Sequence, residues 1–173
     1  MTLELDSAPG PAPEAEAGAR EAPRRQVGAL CLRRKKGRLK VLLITSRDTG
    51  RWIIPKGWPI EGLAPHQAAA REAWEEAGVV GRVGAAPLGS YRYGKRRKGG
   101  VIPCEVTVFP VAVEKLVKRY PERSQRRRRW MGLRKAAKRV DEPSLKALLA
   151  AVGEDALAAA EAGEPTRPLT GAE

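Results

Sequence analysis

Histidine, cysteine and aromatic side chains are scarce in this sequence. Its 173 residues include one His, two Cys and one Phe, and aromatic residues make up 5% of the chain. Cys31 and Cys104 have no CxxC spacing and lie inside apolar, strand-like runs, which argues against a disulfide framework or a zinc site. We interpret both as buried, reduced thiols, and we assign no role to His66.

Long apolar runs are also missing. None approaches the roughly 20 residues that a helix needs to cross a bilayer, and the N-terminus lacks the apolar stretch of a secretion signal. We therefore expect a cytoplasmic protein that does not engage a membrane. No feature of the sequence indicates an obligate protein partner.

Both ends of the chain lack bulky apolar residues. Residues 1–24 consist largely of Ala, Pro, Gly and Glu, a composition that buries too little surface to offset the entropy lost on ordering. Residues 154–173 are similar, although Asp155 to Ala162 have a composition that can extend a preceding helix. We predict a disordered tail over 1–24, one domain over 25–153 and a flexible tail over 154–173.

Acidic residues are few in the predicted domain. Only three of the 33 Lys and Arg residues lie outside 25–153, whereas ten of the 20 Asp and Glu residues do, so the domain carries 30 basic and 10 acidic side chains. Such a field raises the association rate and the local concentration of anions. We expect a polyanionic partner, either a polyphosphorylated small molecule or a nucleic acid.

Hydrophobic patterning predicts strands, one helix, further strands and C-terminal helices. The β-rich runs 27–33 and 39–45 flank a basic turn and form a predicted hairpin. A helix is predicted over 65–77, which Pro65 starts and Gly78 ends. Later segments predict strands near 88–93, 101–113 and 126–133, a basic loop over 94–100, and helices over 134–140 and 143–152. This order indicates an α+β domain.

The predicted helix over 65–77 gathers three carboxylates on one side. At 3.6 residues per turn, Glu72, Glu75 and Glu76 fall within a sector of about 100°, and alanines occupy most of the opposite side. Like charges at this spacing repel each other, so we expect a cation between them. Hard divalent ions such as Mg²⁺ or Mn²⁺ prefer these oxygen ligands.

The stretch from Gly57 to Val79 closely resembles the Nudix box, G-x5-E-x7-R-E-U-x-E-E-x-G-U, where U is a bulky aliphatic residue. Seven of its positions match in register: Gly57, Arg71, Glu72, Glu75, Glu76, Gly78 and Val79. The resemblance covers about residues 26–152. It implies a Nudix-like α/β/α sandwich with a mixed central sheet, a catalytic loop-helix-loop and C-terminal helices.

The resemblance also implies the chemistry, a divalent-metal-dependent hydrolysis of a phosphoanhydride bond. Glu75 and Glu76 are implied as metal ligands, Glu72 as a further ligand or the base, and Arg71 as the residue that orients a carboxylate. The carbonyl of Gly57 is implied as a backbone ligand. The chain departs from the pattern at Leu63, which replaces the first glutamate and can neither bind metal nor pair with Arg71.

Two glutamates outside the matched positions are secondary candidates. Glu61 lies two residues before Leu63 and is a possible substitute for the missing carboxylate, although a loop residue facing solvent is the simpler interpretation. Glu105 lies in a strand and is a possible extra metal ligand, although an ordinary strand-surface position is the simpler interpretation.

The flanking segments resemble the diphosphoinositol polyphosphate and diadenosine polyphosphate phosphohydrolases. We therefore predict a substrate of that kind, gripped by charge-assisted hydrogen bonds. The predicted substrate-binding residues are Arg47, Arg51, Lys56, Arg128 and Arg129. The runs 95–98 and 126–129 lie near aromatic residues and therefore also suit RNA, and we expect the run 95–98 to contribute little to binding of a small substrate. An RNA 5′-end or nucleoside triphosphate pyrophosphohydrolase is the alternative, and a non-enzymatic nucleic-acid-binding module is the remote one.

Overall fold

A computed structural model describes residues 22–166, in which nine strands form one sheet and four helices pack against it. The strands are β1 (Arg24–Lys35), β2 (Arg38–Thr45), β3 (Trp52–Ile53), β4 (Lys56–Gly57), β5 (Val79–Val83), β6 (Gly89–Arg97), β7 (Gly100–Leu116), β8 (Arg128–Gly132) and β9 (Glu164–Pro165). The helices are α1 (Pro65–Ala77), α2 (Leu133–Arg139), α3 (Pro143–Ala151) and α4 (Glu154–Glu161).

The sheet is mixed, as predicted. Its main path runs β3-β2-β1-β7-β5-β9, with β4 beside β1, β6 beside β7 and β8 beside β2. The long strands β1 and β7 are parallel, in a register that pairs Arg24 with Cys104 and Leu32 with Ala112, and the other pairs are antiparallel. The chain therefore has the α+β fold that its order of elements predicts.

Each face of the sheet carries its own buried core. On one face, the alanines of α1 pack against strand residues such as Ile44 and Phe109. On the other face, residues of α2, α3 and α4 pack against Leu30, Leu43 and Val106. Since successive strand residues point to opposite faces, the neighbouring Leu42 and Leu43 belong to different cores. This arrangement is the predicted three-layer sandwich.

The structure differs from the sequence predictions in two segments of the sheet. The strand β5, right after α1, was not predicted. The predicted basic loop over 94–100 forms part of the β6–β7 hairpin, in which Lys95 pairs with Ile102 and Arg96 with Val101. A strand at the sheet edge needs no apolar outer face and often carries Lys, which guards against pairing with other chains.

The predicted flexible tail over 154–173 is wrong for residues 154–166. Helix α4 buries Ala156, Leu157 and Ala160 against the sheet, and β9 pairs with β5. Two small residues and one leucine are enough to dock a short helix whose composition otherwise looks unstructured. The prediction for residues 1–21 and 167–173 lies outside the described residues. Within 22–166, no helix is long and apolar enough to cross a membrane.

Candidate active site

Helix α1 holds the three predicted carboxylates over a cavity of about 1410 Å³. Pro65 begins the helix, and the Gln67 side chain accepts the backbone N–H of Ala64 at 3.0 Å. Gly78 ends the helix in a left-handed conformation, at φ 67°, which glycine adopts at little cost. The helix packs on the sheet through alanines, so Glu72, Glu75 and Glu76 are left to line the cavity.

Gly57 is the point at which the preceding loop meets the helix. Strand β4 pairs it with Val27 of β1, which fixes its backbone to the centre of the sheet. A Cβ atom at this position would collide with the carboxylate of Glu72. A glycine is therefore needed here because the carboxylate lies directly against the backbone.

Glu76 is the most buried of the three carboxylates. Its side chain is 6% exposed, accepts the backbone N–H of Lys56 at 3.2 Å and lies 3.4 Å from the guanidinium of Arg126. Burial raises the pKa of Glu76 to about 8; Arg126 opposes that rise, while the charges of Glu72 and Glu122 add to it. A carboxylate in this setting favours any cation that can reach it.

Glu72 adjoins Glu76 and shares a side-chain hydrogen bond with it. Burial raises the pKa of Glu72 to about 7, and the charges of Glu75 and Glu122 raise it further. Two carboxyl groups this close share a proton when no other cation lies between them.

Glu75 is held differently. Arg71 donates to it at 3.1 Å, one helical turn away. Leu63 is exposed and does not line the cavity. Arg71 thus contacts a carboxylate of its own helix, and its role as the residue that orients a carboxylate remains a prediction.

The donor set fits a magnesium or manganese ion. Within 22–166, no group of three His, Cys, Asp or Glu side chains converges as a ready-made ligand cluster. Mg²⁺ is usually held by one or two carboxylates, with waters and substrate phosphates in its other positions. Glu72 and Glu76 are two neighbouring carboxylates of this kind, and the ligand roles of Glu72, Glu75, Glu76 and the Gly57 carbonyl remain predictions.

Lys56 occupies the wall beside the carboxylates. Its ammonium donates to the hydroxyl of Tyr93 at 2.8 Å, and that hydroxyl donates to Gln26. Burial lowers the pKa of Lys56 to about 8, against the opposing attraction of Glu76. The tyrosine and glutamine were not predicted as site residues, because alternation in β1 and β6 indicates which face a residue takes but not what meets it there.

Two basic segments form the outer walls of the cavity. One is the loop after β2, with Arg47 and Arg51, and the other is the tip of the β6–β7 hairpin, with Lys95 to Lys98. The ammonium of Lys95 lies 4.9 Å from the ring centre of Trp58 on the box loop, and Arg97 lies 5.9 Å from it. The hairpin tip, which the sequence placed in a secondary role, therefore borders the same cavity as the box.

Arg128 and Arg129, two predicted substrate residues, do not line this cavity. Arg128 donates to the carbonyls of Ala77 and Val117 at 2.8 and 3.0 Å and lies over the ring of Tyr120. It therefore fixes the C-terminal end of α1. Arg129 is exposed on the other face of the edge strand β8.

Arg126 takes the place in the cavity that was expected of those arginines. It is 7% exposed and lies 3.2 Å from Glu122 as well as near Glu76. Glu122 also lines the cavity, so a fourth carboxylate approaches the pair from the loop before β8. The basic run 126–129 indicated that arginines lie near the site. The run did not indicate that Arg126 is the member that is buried in the cavity.

The two secondary glutamates stand apart from the cavity. Glu61 is exposed, and Glu105 pairs with Ser90 and Arg92 on the strand surface, at 3.0 and 3.6 Å. Neither lines the cavity. Cys31 and Cys104 are buried and free, as interpreted, and burial raises the pKa of Cys31 well above its usual value.

Comparison with known proteins decides the family. The model of the NUDIX domain matches residues 22–152. This chain belongs to the NUDIX family. Among NUDIX relatives, Nudix hydrolase 12, mitochondrial, of Arabidopsis thaliana is 32% identical over 105 residues, which cover 57% of this chain and 51% of the relative. Diphosphoinositol polyphosphate phosphohydrolase 3-alpha of Mus musculus is 31% identical over 117 residues, covering 66% and 68%.

Solved NUDIX structures share the fold. A binary complex of a C. elegans Ap4A hydrolase superposes with a TM-score of 0.55 at 23% identity, covering 73% of this chain and 93% of that one. The NUDIX domain of Shewanella oneidensis NrtR, complexed with ADP ribose, gives a TM-score of 0.56 at 20% identity, covering 78% and 94%. The chain spans about half the length of the first plant relatives.

Proposed function

We propose that this protein hydrolyses a phosphoanhydride bond in a polyphosphorylated small molecule and requires Mg²⁺ or Mn²⁺ to do so. The observation that carries the proposal is the pair of neighbouring carboxylates, half-buried Glu72 and buried Glu76, beside a large cavity whose outer walls are basic. A basic cavity attracts phosphates, and buried carboxylates attract the cation that phosphate chemistry needs.

The residues divide the work of the reaction between them. We assign Glu72 and Glu76 the task of holding the metal, with Glu75 as a further ligand. When bound, such an ion lowers the pKa of water and neutralises charge on phosphate oxygens. Either Glu72 or a neighbouring carboxylate accepts the proton of the attacking water. Arg71 orients Glu75, and Arg126 holds Glu76 and Glu122 in place.

Binding falls to the cationic walls. Lys56 directly precedes Gly57 in the chain, and both Lys56 and Arg51 line the cavity. We propose that they bind phosphates next to the cut bond, and that Arg47 and the hairpin tip bind more distant ones. The contacts of Lys56 and Arg51 position the reacting phosphate and so raise turnover as well as affinity, whereas the contacts of the hairpin tip mainly raise affinity.

The preferred substrates are diphosphoinositol polyphosphates and diadenosine polyphosphates. Support comes from the names of two similar proteins, a mouse diphosphoinositol polyphosphate phosphohydrolase and a C. elegans Ap4A hydrolase. An RNA 5′-end or nucleoside triphosphate pyrophosphohydrolase is the second candidate, which the position of Lys95 to Lys98 in the same cavity favours. A cytoplasmic location and the absence of an obligate protein partner stay predictions.

A phosphate-release screen tests the proposal. Purified protein is offered diphosphoinositol phosphates, diadenosine polyphosphates, nucleoside triphosphates and 5′-triphosphate RNA, each with Mg²⁺, with Mn²⁺ and with a chelator. We expect metal-dependent release that is fastest with one of the first two classes. Release that is fastest with RNA or with a nucleoside triphosphate overturns the substrate assignment, and full activity in chelator overturns the metal requirement.

A further inference from the structure

A second basic surface lies outside the cavity, on β8 and α2. It consists of six exposed side chains, which we call the β8–α2 surface: Arg127, Arg129, Arg134, Lys135, Lys138 and Arg139. In α2, every exposed residue belongs to it, since Leu133, Ala136 and Ala137 pack towards the core. None of the six lines the cavity.

Acidic partners are missing from this surface. Residues 123–140 contain nine Lys and Arg and no Asp or Glu. None of the six side chains forms an ion pair within the described part of the chain. Arg134 and Lys138 are four residues apart, as are Lys135 and Arg139, and like charges at this spacing weaken a helix. These side chains repel each other in the folded protein, and a bound polyanion would reduce that repulsion.

The six charges lie on two consecutive segments of the chain. Arg127 directly precedes β8 and Arg129 lies within it, about 7 Å away along an extended chain. Helix α2 is about 10 Å long. By alternation with the inward Met131, both arginines take the sheet face on which α2 packs. Segments of this length span several successive phosphates of a nucleic acid strand, spaced about 3.4 Å along a duplex.

The residues that flank this surface in sequence, Arg126 and Asp141, both line the cavity. By alternation, Arg126 takes the opposite sheet face from Arg127 and Arg129. The β8–α2 surface is therefore separate from the cavity and contributes nothing to the chemistry there.

A nucleic acid fits this surface better than a lipid bilayer does. A helix that lies on a membrane inserts apolar or aromatic side chains beside its cations, and α2 exposes none. Within 22–166, the exposed large hydrophobic residues are Leu63 and Val101, which belong to other elements. Pure charge without an apolar anchor is the pattern of phosphate-backbone binding.

We infer that the β8–α2 surface binds single-stranded nucleic acid through its phosphate backbone. This function goes beyond phosphoanhydride hydrolysis and does not depend on which small molecule is cut. The binding should be independent of base sequence and strongly dependent on salt, because it rests on backbone phosphates alone.

The test measures binding of a labelled 20-nucleotide RNA with a 5′-hydroxyl end by fluorescence anisotropy. This RNA has no phosphoanhydride bond, so its binding is separable from any hydrolysis. The surface variant is R134Q/K135Q/K138Q/R139Q. Its matched control, K115Q/K118Q/R119Q/R123Q, removes four exposed charges from the end of β7 and the following loop, on the α1 side of the sheet.

We expect the surface variant to raise the Kd at least tenfold at 150 mM salt and to lower the slope of log K against log salt by about 3, at roughly 0.7 per phosphate contact. The control should stay within about twofold of wild type, and R134K/R139K should bind normally, since charge is kept. Circular dichroism and Tm check that α2 is intact. Equal losses in surface variant and control, or no loss in either, overturn the inference, as does selective loss of binding to phosphatidylserine vesicles with RNA binding unchanged.

Discussion

The two sides of the cavity use charge in opposite ways. On the α1 side, burial raises the pKa of Glu72 and of Glu76. Glu76 accepts the backbone N–H of Lys56, and Glu72 lies against Gly57. On the hairpin side, Arg96 to Lys98 are exposed and Lys95 rests on Trp58. The carboxylates are fixed in position, and their pKa values are raised because they are desolvated. The cations of the hairpin tip remain hydrated, and their side chains can change conformation.

This difference suggests that the α1 side carries the reaction and that the hairpin side attracts and binds the substrate. Fixed, desolvated groups act strongly on charge that develops at one place. Mobile, solvated cations act over distance, tolerate a shift of the ligand and weaken in salt. Mutations on the α1 side should therefore lower kcat, and mutations on the hairpin side should mainly raise KM.

The largest expected effect follows removal of one charge from the carboxylate pair. Glu76→Gln should lower kcat about a hundredfold or more in the phosphate-release assay with Mg²⁺, because metal affinity and transition-state charge stabilisation are lost together. Glu61→Gln, in an exposed loop position, is the control and should keep near-wild-type turnover. Comparable turnover in Glu76→Gln and Glu61→Gln would show that the α1 carboxylates do not take part in the reaction.

A methyl group at Gly57 should disturb the same side without changing any charge. Gly57→Ala directs a Cβ atom into the Glu72 carboxylate, and a displacement of about 1 Å at a reacting group costs on the order of a hundredfold in rate. We expect at least a tenfold fall in kcat. Gly153→Ala, where nothing lies within 4 Å of the added Cβ, should leave kcat unchanged; an unchanged kcat in Gly57→Ala would contradict the tight fit.

Neutralising the hairpin side should change affinity. Lys95→Gln with Arg97→Gln removes both cations from Trp58, and we expect a rise in KM of about fivefold to tenfold at low salt, with kcat nearly constant. The difference from wild type should shrink as salt increases. Lys35→Gln with Arg38→Gln, at the exposed turn between β1 and β2, is the charge-matched control. A fall in kcat with an unchanged KM would contradict the assignment of substrate binding to the hairpin side.

The smallest effect concerns stability and pH without metal. The folded pKa values of Glu72 and Glu76, about 7 and about 8, exceed the unfolded value of roughly 4.3. The folded protein then holds more protons than the unfolded chain, so the free energy of unfolding should fall as pH rises from about 5 to about 8. Tm should follow that fall, and Glu76→Gln should flatten it.

The range ends at pH 8 for a reason. The pKa of Lys56 is lowered to about 8, so above this pH its deprotonation favours the folded state and opposes the trend. Added Mg²⁺ should raise Tm more at pH 8 than at pH 5, because the two carboxylates are far more ionised at pH 8 and the ion binds only the folded protein. A Tm that is constant over this range would mean that the carboxylates are not desolvated.

Helix-capping and periodicity rules predicted those features that depend on residues close together in the sequence. The bounds of α1 followed from Pro65 and Gly78, and the shared side of Glu72, Glu75 and Glu76 followed from helical spacing. Arg128 shows where such rules stop, since its spacing is compatible with the cavity and its partners are carbonyls at the end of α1 and in the loop after β7. Docking of α4 also depends on distant residues, because three small or apolar side chains become a core contact only when the sheet is present.

The pairing of β4 with β1 has a consequence for motion. Gly57 and Lys56 pair with β1, and the backbone N–H of Lys56 also donates to Glu76 of α1, so opening there breaks contacts with both the sheet and the helix. The tip of β6 has only β7 beside it in the described sheet. Amide hydrogens at the box should therefore exchange near the global unfolding limit, and those of the hairpin tip through local fraying. Only the hairpin side of the cavity would open by local fraying. Substrate would enter and product would leave past the hairpin while the carboxylates keep their positions.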